Sequence, residues 1–403
     1  MINYLHKYLK YKNKYKLLKL QLGGNYINTK KCLEDAFEGQ VSGTELIFDK
    51  IKLHEDLTGG QNSQIYKGNC KNFPFVLKIE TFFGVQILYT IWKENPNLDD
   101  TRNILLHYLR SDQTECNRGE IISKILSQYV IQGKSPHFPL IYFVINGINE
   151  LKHEIGYSYK KLVSDIMERY HNEEINRFLM TNKYTFMEVL DINLEFYIGD
   201  LKEKLKHDEI NITNFNNQII YILLQCCFAL TFAKSKISLV HNDISLLNYM
   251  AKYTSTMELF YYYEDGVIKI PTNKLIIKLI DYSMSGCNSP GCRIMYGQSI
   301  YPEKSFDPKY FTKDVDMQEY ATIIQECLNF INLDSGQDKL ILEIFGDYFD
   351  INVTKGYMGH MNYLVRAKIS DIKKFYDWLI GIGIIPVAES EDEYSGVTPY
   401  ELF

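Results

Sequence analysis

The chain of 403 residues is short of arginine, tryptophan and paired cysteine motifs, and each shortage excludes something. Arginine stands only at positions 102, 110, 118, 169, 177, 293 and 366, while lysine is abundant, and tryptophan occurs twice. With Asn, Ile and Tyr also frequent, this bias reflects an AT-rich coding sequence more than chemistry. The eight cysteines, at 32, 70, 116, 226, 227, 287, 292 and 327, include no C-x-x-C pair. That argues against a zinc module and a short disulfide scaffold, and favours a reducing, intracellular setting with free thiols. Cys287 and Cys292 are spaced for a small loop or half a metal site. Long apolar runs are missing too. The longest, Tyr221–Ala233, is interrupted by Gln225 and Thr231, is too short to span a bilayer and reads as a buried core helix. The N-terminus lacks the apolar segment of a secretory signal, and no internal repeat occurs.

What is present suits a globular chain with a sizeable core: 46% of residues are hydrophobic and 23% charged, in a length that allows two lobes or domains. Residues 1–24 stand apart. Met1, Tyr4, Tyr8, Tyr11, Tyr15, Leu18 and Leu22 recur every three or four positions, which makes one apolar stripe on a helix. Lys7, Lys10, Lys12, Lys14, Lys16 and Lys19 fill the other faces, so the arm carries +6 and the rest of the chain −12, for a net charge of −6. Gly23-Gly24 ends the helix. Such an arm either packs on its own acidic body or detaches to hold a partner helix or an anionic surface. Specific nucleic-acid binding is not expected, because the basic charge is confined to the arm.

From residue 45 the pattern turns β-rich. Glu45–Lys52, Ile65–Gly68 and Phe75–Ile79 read as strands, with the turn-rich Thr58–Ser63 between the first two. Residues 101–131 read as helical and end at Gly133. Pro136–Ile145 reads as a strand, Leu151–Asn182 as a polar helical insertion, Thr185–Leu190 as a short strand and residues 214–237 as a long helix. Glu258–Tyr263 and Val267–Ile270 flank Asp265-Gly266, a hairpin signal, and Lys274–Ile280 reads as the next strand. Past residue 312 the chain reads as mostly helical, and the acidic tail from Glu389 as loose.

The chemistry concentrates in His241-Asn242-Asp243-Ile244-Ser245-Leu246-Leu247-Asn248 and in Ile280-Asp281-Tyr282-Ser283. Phosphoryl transfer needs an Asp to orient the attacking hydroxyl, and an Asn and an Asp, hard oxygen donors, to hold Mg2+ on the phosphates. The spacing alone is a short motif, and its surroundings give it weight. A glycine-containing turn lies between two strands, and Lys78 ends Val76-Leu77-Lys78 on the next. A helix with glutamates follows, then Phe186-Met187-Glu188-Val189-Leu190, a long helix and the His241 loop. Tyr301-Pro302-Glu303 and Val315-Asp316 come after Asp281. In these motifs and their order the chain resembles the eukaryotic protein-kinase family over roughly residues 45–385. It is also similar to the kinase-like proteins of giant DNA viruses, where a tyrosine-rich hairpin before the metal-binding aspartate and a Lys/Tyr-rich N-terminal helix recur.

The resemblance implies an α+β, bilobal protein kinase-like fold with a β-rich N-lobe and a mainly helical C-lobe. The basic arm would occupy residues 1–24, the N-lobe 25–187 with a helical insertion at 151–182, and the C-lobe 188–403 with a hairpin insertion at 252–275 and the acidic tail. ATP and Mg2+ would be the cofactors, a protein the substrate, and an intracellular compartment the location, host cytoplasm or virion for a viral chain. Asp243 would be the catalytic base, Asn248 and Asp281 the metal ligands, and Lys78 the grip on the α- and β-phosphates. Gly60 would sit in the phosphate-covering loop. Glu120, or else Glu115, would pair with Lys78. Ile65 and Val76 would roof the adenine, Met250 would floor it, Met187 would guard the pocket, and the Glu188 and Leu190 backbone would bond the base. His241 would support the loop from behind, Asp316 would anchor the loop backbone, and Glu303 would form a buried ion pair with Arg366.

Several positions depart from the family pattern. Thr58 and Ser63 replace two loop glycines. Asn242 stands where many kinases carry Arg, which removes the receptor for an activating phosphate. Ser245 replaces a lysine on the γ-phosphate. Tyr282 and Ser283 replace Phe and Gly, and the Tyr282 hydroxyl then needs a partner. The inserted hairpin is expected to project from its lobe so that Asn248 and Asp281 still converge. A serine/threonine-type protein kinase without activation-loop phosphorylation control is the leading expectation. The alternatives are an inactive pseudokinase or scaffold, a small-molecule kinase of the aminoglycoside or choline type, and a structural protein with a basic arm.

Overall fold

Alternating apolar positions build a five-stranded antiparallel sheet from the first half of the chain. A computed structural model describes residues 25–42, 44–57, 63–83, 85–93, 97–111, 114–148, 157–289, 292–294, 313–331, 339–355, 361–368, 371–394 and 397–403. The architecture is mixed α/β with several antiparallel sheets. Helix α1 (Asn25–Ala36) precedes β1 (Ile51–Leu57), β2 (Ser63–Cys70) and β3 (Phe73–Thr81), and β4 (Ile141–Gly147) and β5 (Asn182–Met187) complete a sheet of order β1-β2-β3-β5-β4. In β3, Phe75, Leu77 and Ile79 are fully buried and pack with Leu33 and Phe37 of the α1 region. Val76, Lys78 and Glu80 therefore share the opposite face, as period two requires. Ile65 and Thr185 lie opposite Lys78, Met187 opposite Val76, and Lys183 opposite Glu80. One sheet face thus gathers Ile65, Val76, Lys78 and Met187.

Helices α2 (Val85–Lys93), α3 (Leu98–Arg110) and α4 (Glu115–Ile131) connect β3 to β4. The helical reading of 101–131 is interrupted because Thr114 caps a new helix, its side chain accepting the Asn117 N–H at 3.4 Å. The polar insertion holds α5 (Tyr157–Tyr170) and α6 (Glu173–Met180), whose Ile166, Ile175 and Leu179 pack with Phe83, Leu88 and Leu105.

The second half is organised around α8 (Ile212–Ile237), with α7 (Leu194–Lys206) beside it. Helix α8 outruns the apolar stretch in its middle and is long and apolar enough to cross a bilayer. Here its side chains from Phe215 to Ile237 are mostly buried in protein. Around it lie α9 (Lys313–Ile331), α10 (Lys339–Gly346) and α11 (Ile372–Gly381). A small sheet pairs β6 (Ile192–Asn193), β7 (Tyr249–Tyr253) and β10 (Leu275–Leu279) in the order β10-β7-β6.

Five expectations are corrected. The inserted hairpin, β8 (Glu258–Tyr263) and β9 (Gly266–Pro271), does not project. Its apolar residues include Leu259, Tyr261, Ile268 and Ile270, and they need cover, so the hairpin lies against α8 with Tyr261 edge-on to Phe228 at 4.7 Å. The tail is not loose either. It supplies β15 (Tyr400–Glu401), parallel to β8, with Leu402 buried and Glu401 bridging Lys134 and Lys236 at 3.3 and 3.0 Å. The stretch past residue 312 is not helical throughout, since β13 (Phe349–Lys355) and β14 (Met361–Ala367) form a hairpin packed on α9. Arg366 falls on the outer face of β14, between buried neighbours of opposite phase, and is exposed. A buried Glu303–Arg366 pair is thereby excluded. Finally, four cysteines are not free thiols: Cys32 is joined to Cys70, and Cys287 of β11 (Cys287–Ser289) to Cys292 of β12 (Cys292–Ile294). The first joins segments 38 residues apart, and the second closes the small Cys287–Cys292 loop whose spacing the sequence shows.

Candidate active site

The loop 241–248 runs from the end of α8 into β7, and its backbone is pinned from below. Glu319 of α9 accepts the N–H groups of His241 and Asn242 on one carboxylate oxygen, at 2.6 and 3.1 Å. Asp316, expected in that role, stands one turn earlier in the same helix, and its side chain lies outside the described residues. The contact that is described comes from Glu319, a longer acid one turn further on. The His241 imidazole is fully buried, bonds the Ile280 carbonyl at 3.0 Å and meets the Tyr282 ring edge-on at 5.5 Å. Burial holds its pKa below the ordinary histidine value, against the pull of the Ile280 carbonyl. It is therefore neutral and supportive, as expected. Asn242 occupies the left-handed region at φ 63°, which asparagine tolerates, and its amide donates to the carbonyls of Val240 and Met284, both at 3.3 Å.

Asp243 is exposed. The Asn248 amide nitrogen donates to the Asp243 carbonyl at 2.6 Å and to its carboxylate at 2.8 Å. This fixes the aspartate and turns the Asn248 side-chain oxygen, the metal-type donor, away from it. The strand pair β7–β10 then does what the inserted hairpin threatened to prevent. Tyr249 lies opposite Leu279, and the Ile280 N–H donates to the Asn248 carbonyl at 2.9 Å. Asp281 is thus the next residue along from Asn248's partner. Asp281 itself holds φ 58°, uncommon for a non-glycine residue and a type of strain that concentrates at functional sites. The Tyr282 hydroxyl finds its partner in the Leu279 carbonyl at 2.6 Å.

Lys78 reaches across from the sheet to Asp281 at 3.4 Å and to Glu80 on its own strand at 2.8 Å. Burial disfavours its ammonium, but Asp281 and Glu80 outweigh that and raise its pKa above the usual lysine value. Lys78 in turn holds the Asp281 carboxyl below the carboxylate range despite burial. The expected Lys78–Glu120 pair does not form. Glu120 bonds Lys183 and Lys124 instead, and Glu115, exposed at the start of α4, makes no ion pair with Lys78. The cause is register: Lys183, one strand over on β5, stands nearer to α4 than Lys78 does.

The apolar candidates fall on two facing surfaces. Ile65, Val76 and Met187 share the Lys78 face of the large sheet, each partly exposed. Met250 lies on β7 opposite Lys278. Between them, the Glu188 N–H is already used by the Leu140 carbonyl at 2.9 Å. Of the Glu188 and Leu190 backbone groups expected to meet the base, the Glu188 carbonyl and the Leu190 N–H make no hydrogen bond among the described residues. The Glu188 side chain has a different task. Fully buried, it accepts from Lys252 at 2.8 Å, Lys278 at 3.1 Å and the Leu140 N–H at 2.7 Å. Burial raises its pKa, but the two lysines win and lower it.

The glycine turn around Gly60 and the Tyr301-Pro302-Glu303 closure lie outside the described residues, as does the basic arm. Among the described residues no three His, Cys, Asp or Glu side chains gather as a metal cluster. A Mg2+ ion does not require one, since it keeps several waters and takes one or two protein oxygens plus phosphate. The side-chain oxygens of Asn248 and Asp281 are donors of that kind, and Asn248 bonds Asp243 through its amide nitrogen rather than its oxygen. Sequence reasoning missed Glu319, Lys183 and the Lys252–Glu188–Lys278 group. Glu319 carried no distinctive signal, since Glu326 lies seven residues on in the same helix with the same half-buried exposure. The two lysine groups depend on strand register. No protein-family model matches the chain, and no curated protein matches it closely enough to argue from.

Proposed function

We propose that this chain is an ATP- and Mg2+-dependent phosphotransferase, a serine/threonine-type protein kinase with a bilobal kinase-like fold. The observation that carries the reading is the junction of three sequence-distant groups. Asn248 is bonded to Asp243, its carbonyl is bonded to the residue before Asp281, and Asp281 is ion-paired to Lys78. A lysine on the third strand of the sheet, an Asp–Asn loop and a strand-end Asp are the parts this chemistry requires. Glu319 supports the reading further, because it holds the loop backbone where the resemblance calls for an acid.

In this reading the side-chain oxygens of Asn248 and Asp281 would hold the metal. Magnesium, when bound, neutralises charge on the phosphates. Lys78 leaves Glu80 and turns its ammonium to the α- and β-phosphates. The exposed Asp243 carboxylate accepts the proton of the attacking hydroxyl, oriented by the Asn248 amide. The Glu188 carbonyl and Leu190 N–H bond the adenine edge between Val76, Ile65 and Met250. Ser245 contributes no charge to the transferred group, so turnover is slow. Asn242 is already committed to the backbone of Met284, so no phosphorylated residue is needed to order this segment.

One observation favours a second reading, a nucleotide-binding pseudokinase: Lys78 lies closer to Glu80 than to Asp281, and Ser245 replaces the expected lysine. Two assays separate the readings. ATP at 100 times its dissociation constant should stabilise the protein by about 2.7 kcal/mol, and only with Mg2+ at full strength. Transfer of labelled γ-phosphate that is lost in Asp243→Ala supports the kinase; binding without transfer supports the pseudokinase; no stabilisation by ATP removes both.

A further inference from the structure

Lys183 is the most buried charge on the sheet, with no exposed side-chain surface. A buried ammonium requires acceptors for all three of its protons. Lys183 finds them all on one helix: the Glu120 carboxylate, the Asn117 side-chain oxygen at 2.6 Å and the Cys116 carbonyl at 3.4 Å. Its ammonium also lies over the Phe82 ring at 5.3 Å. Every polar partner thus belongs to the first turn and a half of α4. The Cys116 thiol adds a bond to the Thr81 carbonyl of β3 at 3.3 Å. The helix also packs on the site segment. Gly119 lies against the Tyr282–Ser283 backbone, where a β-carbon would be in ordinary contact, 3.6 Å from the Ser283 nitrogen. Helix α4 is therefore held between β5 and the segment that follows Asp281.

Lys78 takes no part in this. Its two partners are Glu80 and Asp281, and Glu80 stands directly opposite Lys183 in the sheet. Two charge groups lie side by side on one sheet face, one holding a helix and the other facing the site.

We propose that Lys183, through Glu120 and Asn117, is the positioning residue that docks α4 against the sheet and onto the Asp281–Ser283 segment, leaving Lys78 free for phosphate. This deepens the kinase reading and rests on it for its catalytic consequence. Helix docking and phosphate binding are divided between two lysines on neighbouring strands. The helix is then in place before nucleotide arrives, and loss of Lys78 does not release it. A protein that spent one lysine on both tasks would couple them.

Hydrogen exchange on the full chain tests this without reference to activity. Wild type, Lys183→Met, Glu120→Gln and Lys78→Met would be compared at the amides of α4 and of residues 281–286. Lys183→Met and Glu120→Gln are expected to raise exchange in both segments by about tenfold or more, while Lys78→Met leaves α4 at the wild-type rate. If Lys183→Met fails to fold, the milder Glu120→Gln carries the same comparison. Unchanged α4 exchange in Glu120→Gln, or equal release of α4 in Lys78→Met, overturns the proposal. In nucleotide titrations, Lys78→Met should lose ATP affinity, whereas Glu120→Gln should keep affinity and lower turnover. If wild type neither binds ATP nor transfers phosphate, the kinase reading fails, and the exchange result still decides what Lys183 does.

Discussion

The loop 241–248 and the two sheets around it hold functional groups by opposite means. The loop is fixed by hydrogen bonds to its backbone: Glu319 to His241 and Asn242, the Ser285 hydroxyl to the His241 carbonyl at 3.1 Å, and Val240 paired with Gly286. Its reactive carboxylate, Asp243, is left exposed. The sheets hold their groups by buried or partly buried ion pairs: Lys183 with Glu120, Lys78 with Asp281 and Glu80, and Lys252 and Lys278 with Glu188. A backbone frame keeps its shape when a side-chain charge is removed. A buried ion group does not, because the partner left behind is an uncompensated charge. The loop should therefore tolerate substitutions that ruin its chemistry, and the sheets should fail structurally when their charges change.

The largest effect should come from the loop, in rate alone. Asp243→Asn should lower phosphate transfer by about 10²–10⁴-fold, the range of a lost general base, with a melting temperature within a degree or two of wild type. A large loss of stability would break the comparison. In the sheets the effect should be on folding. Glu188→Ala strands the buried Lys278 and should cost about 3–5 kcal/mol in urea denaturation, whereas an exposed glutamate such as Glu209 should cost almost nothing.

The pH dependence sharpens the contrast. His137 is buried beside Lys278 and bonds the Ile277 carbonyl at 2.8 Å and the Tyr261 hydroxyl at 2.6 Å. Burial lowers its pKa to about 4, with the Ile277 carbonyl opposing and Lys278 assisting. The unfolded chain binds this proton near pH 6.5 and the folded chain does not, so stability falls as pH drops from 6.5 towards 4. The loss should reach about 3 kcal/mol and should flatten in His137→Gln. Asp281 and Glu188, both held low, should add a further loss below pH 4 as they take up protons. Stability that stays level from pH 6.5 to 4 would contradict the burial of His137. The smallest effect belongs to Cys287–Cys292, five residues apart, next to the loop. Its removal by Cys292→Ser should cost about 2 kcal/mol on chain-entropy grounds, less than the roughly 4 kcal/mol for Cys32–Cys70, which spans 38 residues.

What could be read from the sequence follows the same division. The nearness of Asp243, Asn248 and Asp281 was legible because it depends on local spacing and on one strand pairing. Lys78 was legible as a cation in an apolar strand. Its expected partner was not, because choosing between Lys78 and Lys183 for Glu120 takes strand register and helix position that no local pattern records. The tyrosine-rich hairpin was legible as a hairpin, yet its docking on α8 depended on a cover strand more than a hundred residues away. Glu319 stands one helical turn beyond Asp316, a spacing below the resolution of motif reading.

The most direct test of the central claim is a titration of Mn2+, as a Mg2+ surrogate, against the ATP-loaded protein, read by the magnetic relaxation of bound metal. Wild type and Asp243→Ala should bind metal–nucleotide alike, and Asp281→Asn and Asn248→Ala should each weaken it by about tenfold or more, the loss of one metal ligand. Equal binding in all four proteins, or none in any, would contradict the convergence of Asn248 and Asp281 on one metal.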